Sequence, residues 1–268
     1  MEMENPQPPE RNTAPSSSQE PASPPASADS MPSSNVFETL FGTIFNPQSS
    51  FEALNRKPAW FLPYVFLLIL FFLYFFTIVN MMGPAQFMRS TLGANPSEKK
   101  VQQIEQFITM MEERPAMKAF MYVNPAVAML FMPLIVAGVM LLAVTLSGGT
   151  TTFKKSLSLV NHIFFASTLV TSIFALGPLL ITRDLEKFDI QNPIASNIGF
   201  FLSPESVGKF FYSLASSIDV ISCWLIFLFA TGFTAISENL KRKTALILVI
   251  AFWLVWVIIK SSLATFFG

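Results

Sequence analysis

No charged side chain occurs in residues 59–79, which read AWFLPYVFLLILFFLYFFTIV. A helix rises about 1.5 Å per residue, so a stretch of this length spans the hydrocarbon core of a bilayer, which is about 30 Å thick. Because lipid offers the backbone no hydrogen-bond partner, such a segment crosses the membrane as a helix. The stretch therefore predicts a transmembrane helix.

Four further stretches share this apolar character and length. The first of them is free of charge between Lys118 and Lys154, and the next is interrupted only by Asn161 and His162. The remaining two each contain a single charged residue. We expect transmembrane helices near 59–79, 126–146, 157–181, 211–237 and 244–266. The predicted fold is an all-α, polytopic membrane domain with five transmembrane helices over residues 58–268.

The composition of the whole chain agrees with a membrane protein. Of 268 residues, 52% are hydrophobic and 13% are charged, whereas soluble domains carry about 25% charged residues. The 17 basic and 17 acidic residues cancel, so we expect the lipid bilayer and not a nucleic acid as a partner. With one cysteine, Cys223, and one histidine, His162, neither a disulfide framework nor a clustered metal site is expected, and no cofactor is predicted.

The first 57 residues differ from the rest. Residues 1–34 contain eight Pro and eight Ser and no aromatic residue, so they predict a disordered tail that buries too little apolar surface to fold. Residues 35–57 predict two short amphipathic helices at the membrane interface, separated at Asn46-Pro47. The apolar residues of the first lie on one helical face: Val36, Phe37, Leu40, Phe41, Ile44 and Phe45.

Basic residues predict the orientation, because lysine and arginine collect on the cytoplasmic side. Seven lie in short connections on one side: Arg56, Lys57, Lys154, Lys155, Lys241, Arg242 and Lys243. Those of the other side are spread over two long loops. We therefore expect a cytoplasmic N-terminus and a C-terminus on the opposite side. In the first long loop, Val101, Ile104, Ile108 and Met111 form a helical stripe, which predicts an amphipathic helix resting on the bilayer or on the bundle.

Asp219 and Lys260 are the charged candidates within the predicted spans. Intramembrane charges are costly and face a partner, water or the bundle interior. Both residues are expected at similar depth from the outer side, so they form an ion pair across spans four and five, or Lys260 snorkels to the interface, or both serve transport. Trp253 and Trp256 share a helical face with Lys260, either as packing or as a cation–π partner.

Asn161 and His162 are the other polar candidates, at the cytoplasmic start of span three. A histidine titrates near neutral pH and can relay protons. At the end of a span, however, the favoured interpretation is a histidine that is hydrated or hydrogen-bonded in the headgroup region.

Two parts of the chain resemble the Yip-domain family of Ypt/Rab-interacting proteins. The first is Phe45-Asn46-Pro47, then Phe51, Leu54, Pro58, Trp60 and Pro63. The second is Ser217-Ile218-Asp219-Val220-Ile221-Ser222-Cys223-Trp224 with Gly232-Phe233, followed by a basic turn and a final Trp-bearing span. The resemblance covers about residues 36–266.

This resemblance implies a five-span membrane protein with a cytoplasmic N-terminus. Eukaryotic relatives are implicated in vesicle trafficking at the Golgi and the endoplasmic reticulum. The extended outer loop looks more like the prokaryotic branch, which favours a bacterial cell membrane, with Golgi or endoplasmic reticulum if the host is eukaryotic.

No motif of a hydrolase, a metalloprotease or a phosphate-binding loop occurs in the chain. We therefore expect a non-enzymatic protein without catalytic residues, acting as a membrane scaffold or trafficking-type interaction protein. Its protein partner, of unknown identity, is expected to bind through residues 35–55. The alternative is a small transporter or channel that uses Asp219 and Lys260 within the membrane.

Overall fold

The computed structural model describes Met3, residues 35–92, residues 96–182, Leu185, Ile190, Ile194 and residues 196–267. The predicted tail, residues 1–34, lies outside the described residues except for Met3, so its disorder stays a prediction.

The described part of the chain is built from helices. Their bounds are α1 Val36–Phe45, α2 Pro47–Arg56, α3 Phe61–Met82, α4 Pro84–Ser90, α5 Glu98–Glu113, α6 Pro115–Leu146, α7 Phe153–Thr182, α8 Pro204–Val207, α9 Lys209–Ser216, α10 Val220–Ile236 and α11 Arg242–Phe267. A short 3₁₀-helix, Ile198–Phe201, precedes α8.

Four of the described helices are long and apolar enough to cross a membrane, namely α3, α6, α7 and α11. They confirm the predicted spans one, two, three and five. Helix α6 begins at Pro115 rather than near residue 126, because proline is favoured in the first turn of a helix. The predicted span begins later because it excludes the charged residue Lys118.

The predicted fourth span, 211–237, is not one helix. Helix α9 ends at Ser216 and α10 begins at Val220, because Ser and Asp side chains compete with the helix for backbone hydrogen bonds. The amide of Ile198 in the preceding loop donates to the carbonyl of Ile218 over 3.1 Å and so pairs the interrupted backbone. Helix α10, at 17 residues, is about 25 Å long and is a shorter apolar helix than the four long ones. The chain is an all-α, multi-pass membrane protein.

Helix α7 lies at the centre and contacts α1, α2, α3, α6 and α10. The main core is formed by side chains of α2, α6, α7, α10 and α11. Phe51 and Leu54 of α2 are fully buried in it, so the segment predicted as interfacial packs with the spans in one compact unit. Helix α1 buries Leu40 against α3 and α7 and leaves Phe45 exposed.

A close approach of two helices holds this core together. Gly232 of α10 faces Leu159 of α7, and a Cβ at residue 232 would collide with both methyl groups of that leucine. A larger residue at position 232 would require the buried side chain of Leu159 to move, so glycine favours the close packing of α10 on α7.

The predicted amphipathic helix packs where α3 ends and α6 begins. Ile108 and Met111 of α5 are buried against Val79 of α3 and Met121 of α6. Of the two predicted locations, the structure therefore shows the one on the bundle. Arg89 of α4 ties α5 from the other side, since its guanidinium donates two hydrogen bonds, of 2.7 and 2.9 Å, to the carboxylate of Glu105.

Candidate functional site: a polar cavity and a basic face at opposite ends of α10

A cavity of about 320 Å³ lies beside the turn that separates α9 from α10. Its walls come from α7, from the loop before the 3₁₀-helix, from the α9–α10 turn and from α11. The polar residues that line it are Thr171, Ser196, Asn197, Ser216, Ser217, Asp219, Ser222 and Lys260. A lining this polar is unusual beside transmembrane helices, where polar groups mark binding sites and pathways.

Asp219 has a structural role at the edge of this cavity. It is the N-cap residue of α10, and one carboxylate oxygen accepts the amide hydrogen of Ser222 over 2.7 Å. The other oxygen accepts the hydroxyl of Ser222 over 3.0 Å. A carboxylate here satisfies a free amide of the first turn and complements the positive end of the helix dipole. Asp219 therefore lies at a helix end and not within a continuous span.

Lys260 lines the same cavity from α11. Its ammonium group donates to the hydroxyl of Ser217 over 3.3 Å. Both Lys260 and Asp219 are described, and their charged groups do not come within the 4.0 Å of an ion pair. Of the alternatives that the sequence leaves open for these two residues, a direct ion pair is therefore not the one in this structure, and both residues line one cavity. The broken helix offers Lys260 an acceptor in Ser217, while both carboxylate oxygens of Asp219 accept hydrogen bonds from Ser222.

Two hydroxyl groups of the cavity have no hydrogen-bond partner among the described residues. They belong to Ser196 and Ser216, and Ser216 is only 7% exposed. Gly199 presses against this serine, since a Cβ at residue 199 would lie 3.0 Å from the Cα of Ser216. Buried hydroxyls without partners are costly, so the site gains free energy from a polar occupant.

The aromatic side of the cavity confirms one prediction. Trp253 and Trp256 lie on the same face of α11 as Lys260, and all three line the cavity. Lys260 donates to Ser217, and no cation–π contact with either ring is found within the described part of the chain. The two rings therefore form an apolar wall next to the polar one.

Asn161 and His162 occupy a separate place inside the bundle. Both are completely buried, so the interpretation of His162 as a hydrated residue at a helix end is wrong. Helix α7 begins at Phe153, and the surrounding helices bury residues 156–163 of it. The side-chain amide of Asn161 donates to the carbonyl of Trp60 over 2.9 Å. The Nδ1 atom of His162 lies 2.7 Å from the carbonyl oxygen of Ser158.

The end of α10 opposite the cavity carries a basic face, which we define as Arg56, Lys57, Lys154, Lys155, Lys241, Arg242 and Lys243. Three connections meet there. The backbones of Thr150 and Glu238 exchange hydrogen bonds of 3.0 and 2.9 Å, which joins the turn before α7 to the turn before α11. The ammonium group of Lys155 donates to the side-chain oxygen of Asn55 over 2.7 Å and adds α2. The basic residues that the sequence placed on one side thus lie on connections that these hydrogen bonds join.

Comparison with known protein families identifies the family of this chain. Residues 41–263 match the family model of the Yip1 domain. The chain belongs to the Yip1 domain family. The match confirms the resemblance seen in the sequence, and it begins within α1 and ends within α11 of this Yip1-domain chain. Comparisons with curated proteins and with solved structures gave no match.

All four polar candidates lie within the matched Yip1 domain, and the structure divides them between two places. Asp219 and Lys260 share the cavity, whereas Asn161 and His162 lie among the helices around α7. Sequence reasoning missed the serines of the cavity and Asn197. One signal was present, since Asp219 followed by Ser222 has the spacing of a helix N-terminus.

Proposed function

We propose that this Yip1-domain protein is a non-enzymatic membrane scaffold that binds a cytoplasmic protein through its N-terminal helices and the basic face. The observation that supports it best is the joining of three connections into that face. Six of its seven residues are exposed, all except the half-buried Lys155. Such a surface attracts acidic partners and orients them during encounter.

The N-terminal helices add apolar contact area next to this charge. Phe45, at the end of α1, is 84% exposed. Large aromatic side chains serve as anchors at protein interfaces. We therefore assign residues 35–55 as the docking segment for a partner with acidic and apolar side chains.

The orientation belongs to the same proposal. The basic face is cytoplasmic, because the positive-inside rule counts lysine and arginine in short connections. The N-terminus is therefore cytoplasmic and the C-terminus lies on the other side, with a bacterial cell membrane as the favoured location.

Photocrosslinking tests the docking segment without disrupting the fold. Deleting residues 35–55 removes core residues Phe51 and Leu54, so a photoreactive phenylalanine analogue at Phe45 is the sharper probe. The matched control is Phe76 of α3, an exposed phenylalanine (56%) within a span. We expect a discrete protein adduct from position 45 and lipid adducts from position 76. The same adducts from both positions, or no protein adduct from position 45 in native membranes, would overturn the proposal.

Cysteine labelling tests the orientation. In a Cys223→Ser background, Ser147→Cys reports the end with the basic face and Ser203→Cys reports the opposite end. Both serines are exposed. A membrane-impermeant maleimide added to intact cells should label position 203 and reach position 147 only after permeabilisation. The reverse pattern would show the opposite orientation.

A second candidate function is supported by the polar cavity, namely a small transporter or channel that uses Asp219 and Lys260. Purified protein in liposomes should then move a solute at a rate that Asp219→Asn lowers. Equal flux through both proteins, or no flux above that of empty liposomes, would exclude this role for the residue.

A further inference from the structure

We propose that the polar cavity beside α10 binds a zwitterionic group that carries an ammonium and a phosphate, the chemistry of phosphoethanolamine. This inference goes beyond the scaffold role, because the cavity lies at the end of α10 opposite the proposed docking face.

The charges of the cavity favour a zwitterion. Among the lining residues that the structure describes, Lys260 is the cation and Asp219 is the anion. An anion would be attracted by Lys260 and repelled by Asp219. A cation would be attracted by Asp219 and repelled by Lys260. A ligand that carries both charges can place each one next to its opposite.

Both charged groups keep hydrogen-bonding capacity for a ligand. An ammonium group has three donors, and that of Lys260 donates to Ser217. Each carboxylate oxygen of Asp219 accepts a single hydrogen bond from Ser222, which leaves a free lone pair on each. The site can therefore bind phosphate oxygens on one side and an ammonium group on the other without losing its own contacts.

The unpartnered serine hydroxyls indicate where the phosphate binds. Ser196 and Ser216 line the cavity with Lys260, and their hydroxyls have no partner in the described ranges. Hydroxyls that donate to a charged oxygen make stronger hydrogen bonds than neutral pairs. Trp253 and Trp256 also line the cavity, and the faces of indole rings attract ammonium groups.

The position along α11 fits the headgroup of a phospholipid. Lys260 precedes the end of α11 at Phe267 by about 10 Å, a depth near the polar boundary of the bilayer. Tryptophan is enriched at this boundary. The volume of about 320 Å³ is at the small end of the range for ligand pockets. The zwitterion can come from a membrane lipid or from a free molecule in solution.

Native mass spectrometry of the full-length, delipidated protein tests the proposal. The probes are a short-chain phosphatidylethanolamine, the matching phosphatidylglycerol and free phosphoethanolamine. The wild-type protein should bind phosphatidylethanolamine more tightly than phosphatidylglycerol. If only phosphatidylethanolamine binds, the ligand is the headgroup of a membrane lipid. If free phosphoethanolamine binds as well, the headgroup is sufficient for binding without the acyl chains.

Two charge variants sharpen the test. Asp219→Asn keeps a good N-cap residue and leaves the cavity positive, so binding of phosphatidylethanolamine should fall about tenfold while binding of phosphatidylglycerol rises. Lys260→Gln should weaken both lipids. The matched control is Lys209→Gln at the start of α9, outside the cavity lining, which should bind as the wild type does.

Asp219→Asn is expected to bind phosphatidylglycerol more tightly, and a variant that gains binding must be folded. Its weaker binding of phosphatidylethanolamine would therefore not be due to unfolding. Equal binding of the two lipids by the wild-type protein would overturn the proposal. So would an unchanged preference in both Asp219→Asn and Lys260→Gln.

Discussion

The ammonium group of Lys260 donates a hydrogen bond to the hydroxyl of Ser217 over 3.3 Å. This contact joins α11 to the turn that interrupts the predicted fourth span, and it leaves Asp219 free to cap α10. Lys260 therefore links α11 to this turn, whereas Asp219 caps α10, and both line one cavity. Substitutions that keep one of these contacts and remove the other can separate their contributions to stability.

The cap predicts a difference between two substitutions at residue 219. Asp219→Ala removes the acceptor for the amide of Ser222 and should lower the free energy of unfolding by about 1 kcal/mol, whereas Asp219→Asn should lose less than half of that. Thermal unfolding in detergent, followed by tryptophan fluorescence, measures both. Equal losses from both variants would mean that the negative charge and not the cap matters for stability.

The contact between α7 and α10 predicts that Gly232 cannot be enlarged. Gly232→Ala places a methyl group against Leu159 and should destabilise the protein by about 1–3 kcal/mol. The matched control is Gly138→Ala in α6, where a Cβ meets open space and should stabilise the helix by up to about 1 kcal/mol. If both variants unfold at the wild-type temperature, α7 and α10 do not pack as closely as the structure shows.

The neighbours Asn161 and His162 should respond differently to the same substitution. Asn161→Leu removes the hydrogen bond to the carbonyl of Trp60, which still accepts the amide of Tyr64, and should cost about 1 kcal/mol. His162→Leu removes a ring whose Nε2 atom has no partner within the described residues, so stability should change by less than about 1 kcal/mol. Unfolding temperatures in detergent measure both. A large loss from His162→Leu alone would indicate an unseen partner or a functional role for the ring.

The ion pair between Arg89 and Glu105 predicts a pH dependence in the outer part of the bundle. The hydrogen bonds from Arg89 lower the pKa of Glu105, with a smaller contribution from its charge. A lowered folded-state pKa means that the contribution to stability is present above the usual pKa of a glutamate. It is lost as the pH falls through the lowered value.

Carbon NMR of labelled glutamate side chains can check this directly. The carboxyl of Glu105 should titrate below the ordinary pKa of a glutamate, and Arg89→Gln should raise its pKa toward that ordinary value. Because the pair is exposed, added salt should reduce the difference. A titration of Glu105 that Arg89→Gln leaves unchanged would show that the pair does not form in solution.

Several features could be predicted from local sequence. The four long spans follow from stretches with one charged residue or none, such as 59–79, because length and hydropathy alone decide whether a helix can cross a bilayer. The stripe of Ile108 and Met111 predicts its helix in the same way, because helical periodicity is a local property. Asp219 and Lys260 stand out because charge is rare among apolar residues.

Other features depend on residues that are distant in the chain. The break at Asp219 required the loop at Ile198 to pair with Ile218, and an apolar stretch shows no sign of a partner twenty residues away. The burial of His162 depends on the helices that enclose α7, and the choice of Ser217 as the acceptor for Lys260 depends on that break.

The sequence by itself determined that the chain crosses the membrane, where its long spans lie and which of its residues are charged within them. Transfer into lipid is a property of a segment, so composition suffices for it. Only the tertiary structure decided that Phe51 and Leu54 belong to the core, and that Ser196, Ser216, Asp219 and Lys260 line one cavity. Such contacts are set by the packing of helices that the chain brings together from far apart.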